Sequence, residues 1–376
     1  MSELAVTDSC DTLVIGAGAL GLMTALRLAR RGVDVIVADR GMPMSEASGV
    51  NAGSLAAQNK LLSLIPHTLA ALELWRGMES FLGADVGFSN PGGYRVATSD
   101  SDREVLKRSS DEQQEAGVTS DWLDPAQIAS RAPFLGSAVT AATFSLNDCF
   151  ASPLMFAPAL IDAAKAAGVR IAHSQSVTAI ERNTDGAGYR VRTASASVRC
   201  ARLVVAAGAW SSWVTRLAGV SLPLVQDINM ISVSAPAAPF MQGVVTHVRG
   251  ILTLKQVANG TCLIGGGWQG AGDLGSDRKD IDYESALHNI RLAISVIPKI
   301  KSLMLARQWS GFEGVTPDSC PYLGALPGLP DAFIVACARG GWTLSPILAL
   351  MLSELMLDGD TALAYSLFDP ARFAHA

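Results

Sequence analysis

Gly16, Gly18 and Gly21 form G-x-G-x-x-G between two stretches of opposite character. Before them, Asp11 to Ile15 (DTLVI) is a short run of branched apolar residues, which predicts a buried strand. After them, Ala19 to Arg31 places Leu20, Met23, Leu26 and Leu28 at helical spacing, and Gly32 stops the helix. Val33 to Ala38 (VDVIVA) predicts a second strand that ends at Asp39. Strand, helix and strand within about 30 residues make a parallel βαβ unit. Gly16 permits the tight turn, Gly18 lets a diphosphate approach the backbone, and Gly21 lets helix and strand pack closely. Ala19 and Leu20 open the helix, where free N–H groups and the helix dipole stabilise phosphate charge. Asp39 lies 18 positions after Gly21, where a carboxylate accepts both ribose hydroxyls. The pattern predicts a dinucleotide with a free 2′-hydroxyl. It excludes most NADP readings and leaves NAD and FAD open.

The 376 residues suffice for about two domains. Charged residues are 17%, below the usual share of about 25%, and mean hydropathy is +0.29, which excludes a disordered chain. Net charge is −5, which argues against a general nucleic-acid binder. Cys10, Cys149, Cys200, Cys262, Cys320 and Cys337 are scattered without C-x-x-C, and His67, His173, His247, His288 and His375 lack metal-ligand spacing. No metal site is expected, and the thiols are expected in a reducing compartment. The start of the chain shows no basic-then-apolar leader pattern. The late apolar run from Trp342 to Leu357 is interrupted by Ser345, Pro346, Ser353 and Glu354, so no membrane span is expected. The expected location is cytoplasmic.

Further helices are predicted over 64–81, over 153–167 with Pro153 at the first position after Ser152, over 283–297 and over 344–357. Strands are predicted at 177–182, 189–193, 203–206 and 333–337, with short β pieces throughout 229–270. A turn is predicted at 90–93, and the charged region from 100 to 131 reads as a surface excursion. The run GGGWQG (Gly265, Gly266, Gly267, Gly270) follows a short strand but opens no helix, so it reads as a strand end near the substrate.

Three segments separate FAD from NAD. Ser45 to Ser54 (SEASGVNAGS) follows the second strand, and a plain NAD domain has no need of such a loop. Its Ser48, Gly49, Asn51, Ala52, Gly53 and Ser54 are small enough for backbone contact with a cofactor. Leu203 to Ser211 (LVVAAGAWS) offers a second approach at Ala207, Gly208 and Trp210. Gly340, Gly341, Trp342 and Thr343 open a late helix, whose positive end suits the pyrimidine of a reduced flavin.

Together, DTLVIGAGALGL, VIVADR, ASGVNAGSL, VTAIER, LVVAAGAWS, GVTPDSCPYLG and ARGGWTLSP make the chain resemble the D-amino-acid-oxidase-like FAD oxidoreductases over almost its full length. It is most similar to the branch of glycine oxidase, the sarcosine oxidase β-subunit and the amino-acid or opine dehydrogenase β-subunits. The resemblance implies an α/β fold, with a Rossmann-like FAD domain (1–90, 145–225 and 320–376) interleaved with a β-rich α+β substrate and interface domain (91–144 and 226–319). It implies non-covalent FAD, with Arg40 after Asp39 and Val177 meeting the adenine through its backbone. An FMN at a subunit interface is left open. The implied reaction oxidises the C–N bond of an amine or amino acid by hydride transfer to flavin N5. Partner subunits would carry further flavin or iron–sulfur centres. A self-sufficient oxidase making hydrogen peroxide, a non-catalytic FAD-holding subunit and an NAD-binding protein remain alternatives. One departure matters: where glycine oxidase-like members carry Arg, this chain has Glu313, which either holds a cationic part of a substrate or faces away. A carboxylate partner is then sought in Arg339 first, or in Arg249, Lys255 or Arg307. Lys255 also stands as a candidate above the flavin.

Overall fold

The computed structural model describes residues 7–183, 187–336 and 340–373. Strand β1 (Thr7–Ile15), helix α1 (Ala19–Arg30) and strand β2 (Val35–Ala38) form the expected parallel βαβ unit. They sit inside an eight-stranded sheet. Its main path runs Tyr322–Ala325, Ala332–Ala336, Ser197–Val205, β1, β2, Arg170–Ala172. Neighbours from Ala332–Ala336 to Arg170–Ala172 pair in parallel, while Tyr322–Ala325 is antiparallel. Val177–Arg182 and Tyr189–Thr193 attach antiparallel beside Ser197–Val205. Every residue of β2 is buried, because the parallel strands are covered on both faces. Val14, Val37 and Val204 face one core with Leu22, Met23 and Leu26 of α1 and Leu344, Leu348 and Leu352 of the helix Gly341–Asp358. Leu13, Ile36, Leu203 and Ile334 face the other.

A second eight-stranded sheet runs Leu305–Val315, Val225–Ser234, Cys262–Gly265, Thr253–Gln256, Val244–His247, Gly93–Ala97, Ala141–Ser145, Asp121–Leu123. It is antiparallel except where Val244–His247 meets Gly93–Ala97. Helix Tyr283–Val296 packs Ala293 and Val296 in one core with Leu254 and Ile264 of this sheet and Leu252 beside it. Asn289 Nδ2 donates to the carbonyls of Ile251 and Gly265, both at 3.1 Å, which fixes the helix over the sheet.

The α/β and β-rich architecture agrees with the sequence reading, and some local expectations do not. The helix predicted over 64–81 divides into Ile65–Arg76 and Met78–Leu82 at Gly77. The supposed excursion at 100–131 is ordered as helix Asp100–Glu115, strand Asp121–Leu123 and helix Pro125–Arg131. Its helices are capped by Ser99 and Asp124, whose side chains accept from Asp102 N–H and Gln127 N–H. Gly93, placed in a turn, starts a strand, and Arg170–Ala172 is a strand that sequence reading did not find. Among the described residues, no helix is long and apolar enough to cross a membrane, and no acidic, histidine and cysteine cluster is arranged to hold a metal.

Candidate cofactor and substrate site

β1 delivers the chain to Gly16, whose φ of +112° lies in the left-handed region. A Cβ there would run into the Ala206 carbonyl of the adjacent strand end, so glycine alone makes this turn. Asp39 sits at the end of β2 with its carboxylate held from two sides. Ala17 N–H donates to Oδ2 at 2.6 Å and Gly41 N–H to Oδ1 at 2.7 Å. The loop after β2 folds back across the glycine turn. Met44 N–H donates to the Ala17 carbonyl at 2.9 Å. Ala19 N–H donates to Ser48 Oγ, also at 2.9 Å, which sets an oxygen at the start of α1. Asn51 braces the loop by donating to the carbonyls of Ala47 and Ser48 and accepting from Gly53 N–H.

A cavity of about 920 Å³ joins these elements to the second sheet. Asp39, Arg40 and Val177 lie on its wall, as do Gly16, Gly18, Ala19, Leu20 and Ser48. So do Asn51, Ala52, Gly53 and Ser54 from the loop, Ala207, Gly208 and Trp210 after Ser197–Val205, and Gly340, Gly341, Trp342 and Thr343 at the late helix. Glu313 lies on the wall from the second sheet, beside Gly311 and Phe312.

Five sequence candidates stand elsewhere. Gly21 and Gly49 are off the wall, and both are packing positions: a Cβ would meet the carbonyl of Gly16 in the first case and of Met44 in the second. Lys255 is also off the wall and is 1% exposed. Its Nζ donates to the Ala52 carbonyl and, at 2.9 Å, to Ser54 Oγ, so it supports the loop from behind. Burial pushes its ammonium down to about 7. Arg339 lies outside the described residues. Of the other proposed carboxylate partners, Arg249 is paired with Asp102 at 2.7 Å and Arg307 is exposed, and neither lines the cavity.

Sequence reasoning missed several parts of the wall, among them Leu61, Trp213 and Val214, and two others carry charge. The hairpin of Ala271–Asp273 and Arg278–Asp280 reaches across from the second sheet, with Leu274, Gly275 and Asp277 on the cavity wall. Arg40 pairs with both Asp277 and Glu46 at 3.1 Å and stacks its guanidinium 3.8 Å from the Trp210 ring centre. Lys279 pairs with Glu46 at 2.7 Å, and Leu274 packs with Ala209, Ile228 and Phe312. The run GDLGSD carries hairpin turn residues that would have disclosed this arm. Lys60 is the other omission: its side chain lies against Gly340, at the start of the late helix.

The donor set suits a flavin dinucleotide. The pinned Asp39 carboxylate could accept ribose hydroxyls, and the start of α1 already holds an oxygen from Ser48. Trp342, packed 5.0 Å from both Trp75 and Phe156, carries a buried indole N–H that meets no acceptor among the described residues. A cofactor oxygen or nitrogen would satisfy it.

The family model described as DAO, FAD dependent oxidoreductase, matches residues 11–355. The chain belongs to this family of FAD-dependent oxidoreductases. It is 27% identical to a subunit of the opine oxidase of Rhizobium meliloti, over 96% of this chain and 97% of that protein. It is 26% identical to glycine oxidase of Geobacillus kaustophilus, over 98% and 97%. Among solved structures, L-proline dehydrogenase from P. horikoshii shares the fold with a TM-score of 0.89 at 24% identity, over 98% of each chain. As a DAO-family enzyme, the chain would hold FAD through Asp39 at the ribose, the start of α1 at the diphosphate and Gly340–Thr343 at the flavin.

Proposed function

We propose that this FAD-dependent oxidoreductase oxidises the C–N bond of an amino acid, secondary amine, imino acid or opine, as the catalytic β-type subunit of a hetero-oligomeric dehydrogenase. The observation that carries the reading is the common cavity shared by the glycine turn, the late helix start and the Glu313 face of the second sheet. When bound, FAD supplies a two-electron acceptor. The chain supplies position and a dry wall. Ile231 and Phe312 present buried apolar surface from the second sheet, and Gly311 keeps that wall low. The positive end of the helix Gly341–Asp358 opens on the cavity wall, where it would stabilise negative charge on a reduced flavin. The substrate amine enters neutral, so the residues need only orient it and exclude water.

Support for the dehydrogenase-complex reading comes from the opine oxidase relative, itself one part of an assembly by its name. Partner subunits would take the electrons through flavin or iron–sulfur centres, with FMN at the interface as one form of that link and a cytoplasmic location for the complex. A second reading, a self-sufficient oxidase producing hydrogen peroxide, draws on the glycine oxidase relative. Purified, flavin-loaded protein tests both. Anaerobic bleaching of the flavin by an amine or amino acid is expected, and its absence across a broad panel would leave only an FAD-holding assembly role. Stoichiometric peroxide from the chain alone would replace the dehydrogenase reading with the oxidase one.

A further inference from the structure

The second sheet turns one face to the cavity. On strand Val225–Ser234, Asn229 and Ile231 alternate onto that face, opposite Gly311 and Trp309 of Leu305–Val315. Asn229, Ile231 and Gly311 all line the cavity, with Gly265 and Thr253 from the next two strands, and Asn229 is half-buried among them. The orientation of its amide is set by the backbone. Ile228 N–H donates to Gln269 Oε1 at 2.7 Å, and a backbone N–H can only donate. Gln269 therefore turns its Nε2 the other way, toward Asn229 Oδ1 at 3.0 Å and the Gly267 carbonyl at 3.4 Å. Asn229 Oδ1 is thereby the accepting end, and Nδ2 is fixed on the far side, where it donates to Glu313 Oε2. An amide nitrogen carries two protons, and Glu313 takes one. Among the described residues, Asn229 Nδ2 makes this one bond. Its second N–H belongs to a side chain that projects from the cavity face of the sheet.

We propose that Asn229 is a substrate-binding residue, whose second Nδ2–H donates to a carbonyl or carboxylate oxygen carried beside the amine that is oxidised. The inference rests on the amine-oxidation reading and names a residue that selects within it. It asks nothing of Glu313 beyond accepting one proton, which holds the amide plane in place. The chemistry favours an oxygen over the amine as the acceptor. A donor on the amine nitrogen would occupy the lone pair that C–H cleavage needs, whereas a donor on a neighbouring oxygen leaves it untouched. Selection follows from desolvation. Once a substrate fills the cavity and excludes water, an amine without the oxygen leaves the Asn229 N–H unpaired, so the penalty falls on the wrong substrate.

The test compares three amines of one shape in anaerobic stopped-flow reduction of the FAD-loaded protein. They are sarcosine, its carboxamide, and N-methylisobutylamine, which has methyl groups where the others carry their polar atoms. A compound that is not oxidised is compared through its Kd, read from perturbation of the flavin spectrum. Wild type is expected to favour an oxygen-bearing compound over N-methylisobutylamine. A preference for sarcosine alone marks a carboxylate, and one shared by the carboxamide marks any carbonyl. Asn229→Ala should cost the preferred compound roughly 5- to 50-fold, while N-methylisobutylamine changes by less than about threefold. Gln269→Glu leaves Asn229 in place and keeps an acceptor for Ile228 N–H, but it cannot donate to Asn229 Oδ1, so the preference should shrink there too. Thermal unfolding and the flavin spectrum check that both variants are folded and loaded. Equal losses for all three compounds would indicate a structural role or a contact with the flavin. That result, an unchanged preference in either variant, or a wild type that favours N-methylisobutylamine would overturn the proposal while leaving amine oxidation intact. A wild-type flavin that no amine bleaches would remove the amine-oxidation reading, and this inference with it.

Discussion

Asp39→Ala probes how the cofactor is gripped. The substitution removes two short hydrogen bonds from backbone N–H groups, at 2.6 Å from Ala17 and 2.7 Å from Gly41. A hydrogen bond to a charged group contributes about 1.5–3 kcal/mol, and the half-burial of Asp39 places each near the lower end, for a joint loss of about 3 kcal/mol. Those bonds order the turn that must meet the diphosphate, so binding to the variant has to restore the order. The ribose hydroxyls also lose their acceptor at this carboxylate, which costs about 1 kcal/mol more. With about 1.4 kcal/mol per decade, FAD Kd should rise by roughly 100-fold or more. The assay strips the flavin and titrates FAD back into wild type and variant, following quenching of flavin fluorescence. Asp39→Asn should fall between the two, because its amide keeps one acceptor and turns its NH2 toward a backbone donor. A Kd for Asp39→Ala within threefold of wild type would refute the reasoning.

Other expectations concern the loop and the hairpin. Lys255→Met tests burial: the wild-type ammonium titrates near 7 in the folded chain and near its ordinary value when unfolded. Between those values the unfolded chain holds the extra proton, so wild-type stability should rise relative to the variant as pH increases from 7 to 10, by up to about 1.4 kcal/mol per pH unit. Urea unfolding of both apoproteins across that range checks the sign, and a pH-independent difference contradicts it. Gly18→Val should yield folded, flavin-free protein, because a Cβ there already stands 3.0 Å from Ser48 Oγ and its methyls would enter the cavity; full loading by absorbance would count against the diphosphate approach. Arg40→Ala removes exposed ion pairs worth under about 1 kcal/mol each, so Tm should barely move, while FAD release accelerates several-fold and loses its salt dependence. Leu274→Ala should expose the hairpin between residues 273 and 278 to protease, since it deletes the buried anchor of that arm at a local cost of about 2–3 kcal/mol; unchanged cleavage would argue that the ion pairs alone hold it.

Local chemistry made the βαβ unit readable. Its strands are apolar because both sheet faces are covered, and Gly16 is glycine because an L side chain would strike Ala206. The charged helix Asp100–Glu115 was less legible, since a surface helix with few apolar positions carries little periodic signal, although its Ser99 cap was present. Arg170–Ala172 is only three residues long and, among the described residues, pairs with β2 alone. Lys255 shows the limit most clearly: a lysine in sequence reads as a surface cation or an active-site base, and here its burial behind Ala52 and Ser54 is fixed by strands Thr253–Gln256 and Cys262–Gly265.

The order of residues by itself determined the glycine turn and the acidic residue at the end of β2. These follow from backbone sterics and from spacing within one short unit. Only the tertiary structure decided that Glu313 accepts from Asn229, itself bonded by Gln269, that the 271–280 hairpin crosses to Arg40, and that Lys60 lies against the late helix. Each of those contacts joins residues at least 40 positions apart. No local rule of spacing reaches that far, because such pairs meet only when distant strands have paired within a sheet or separate elements have packed, and burial has selected one arrangement.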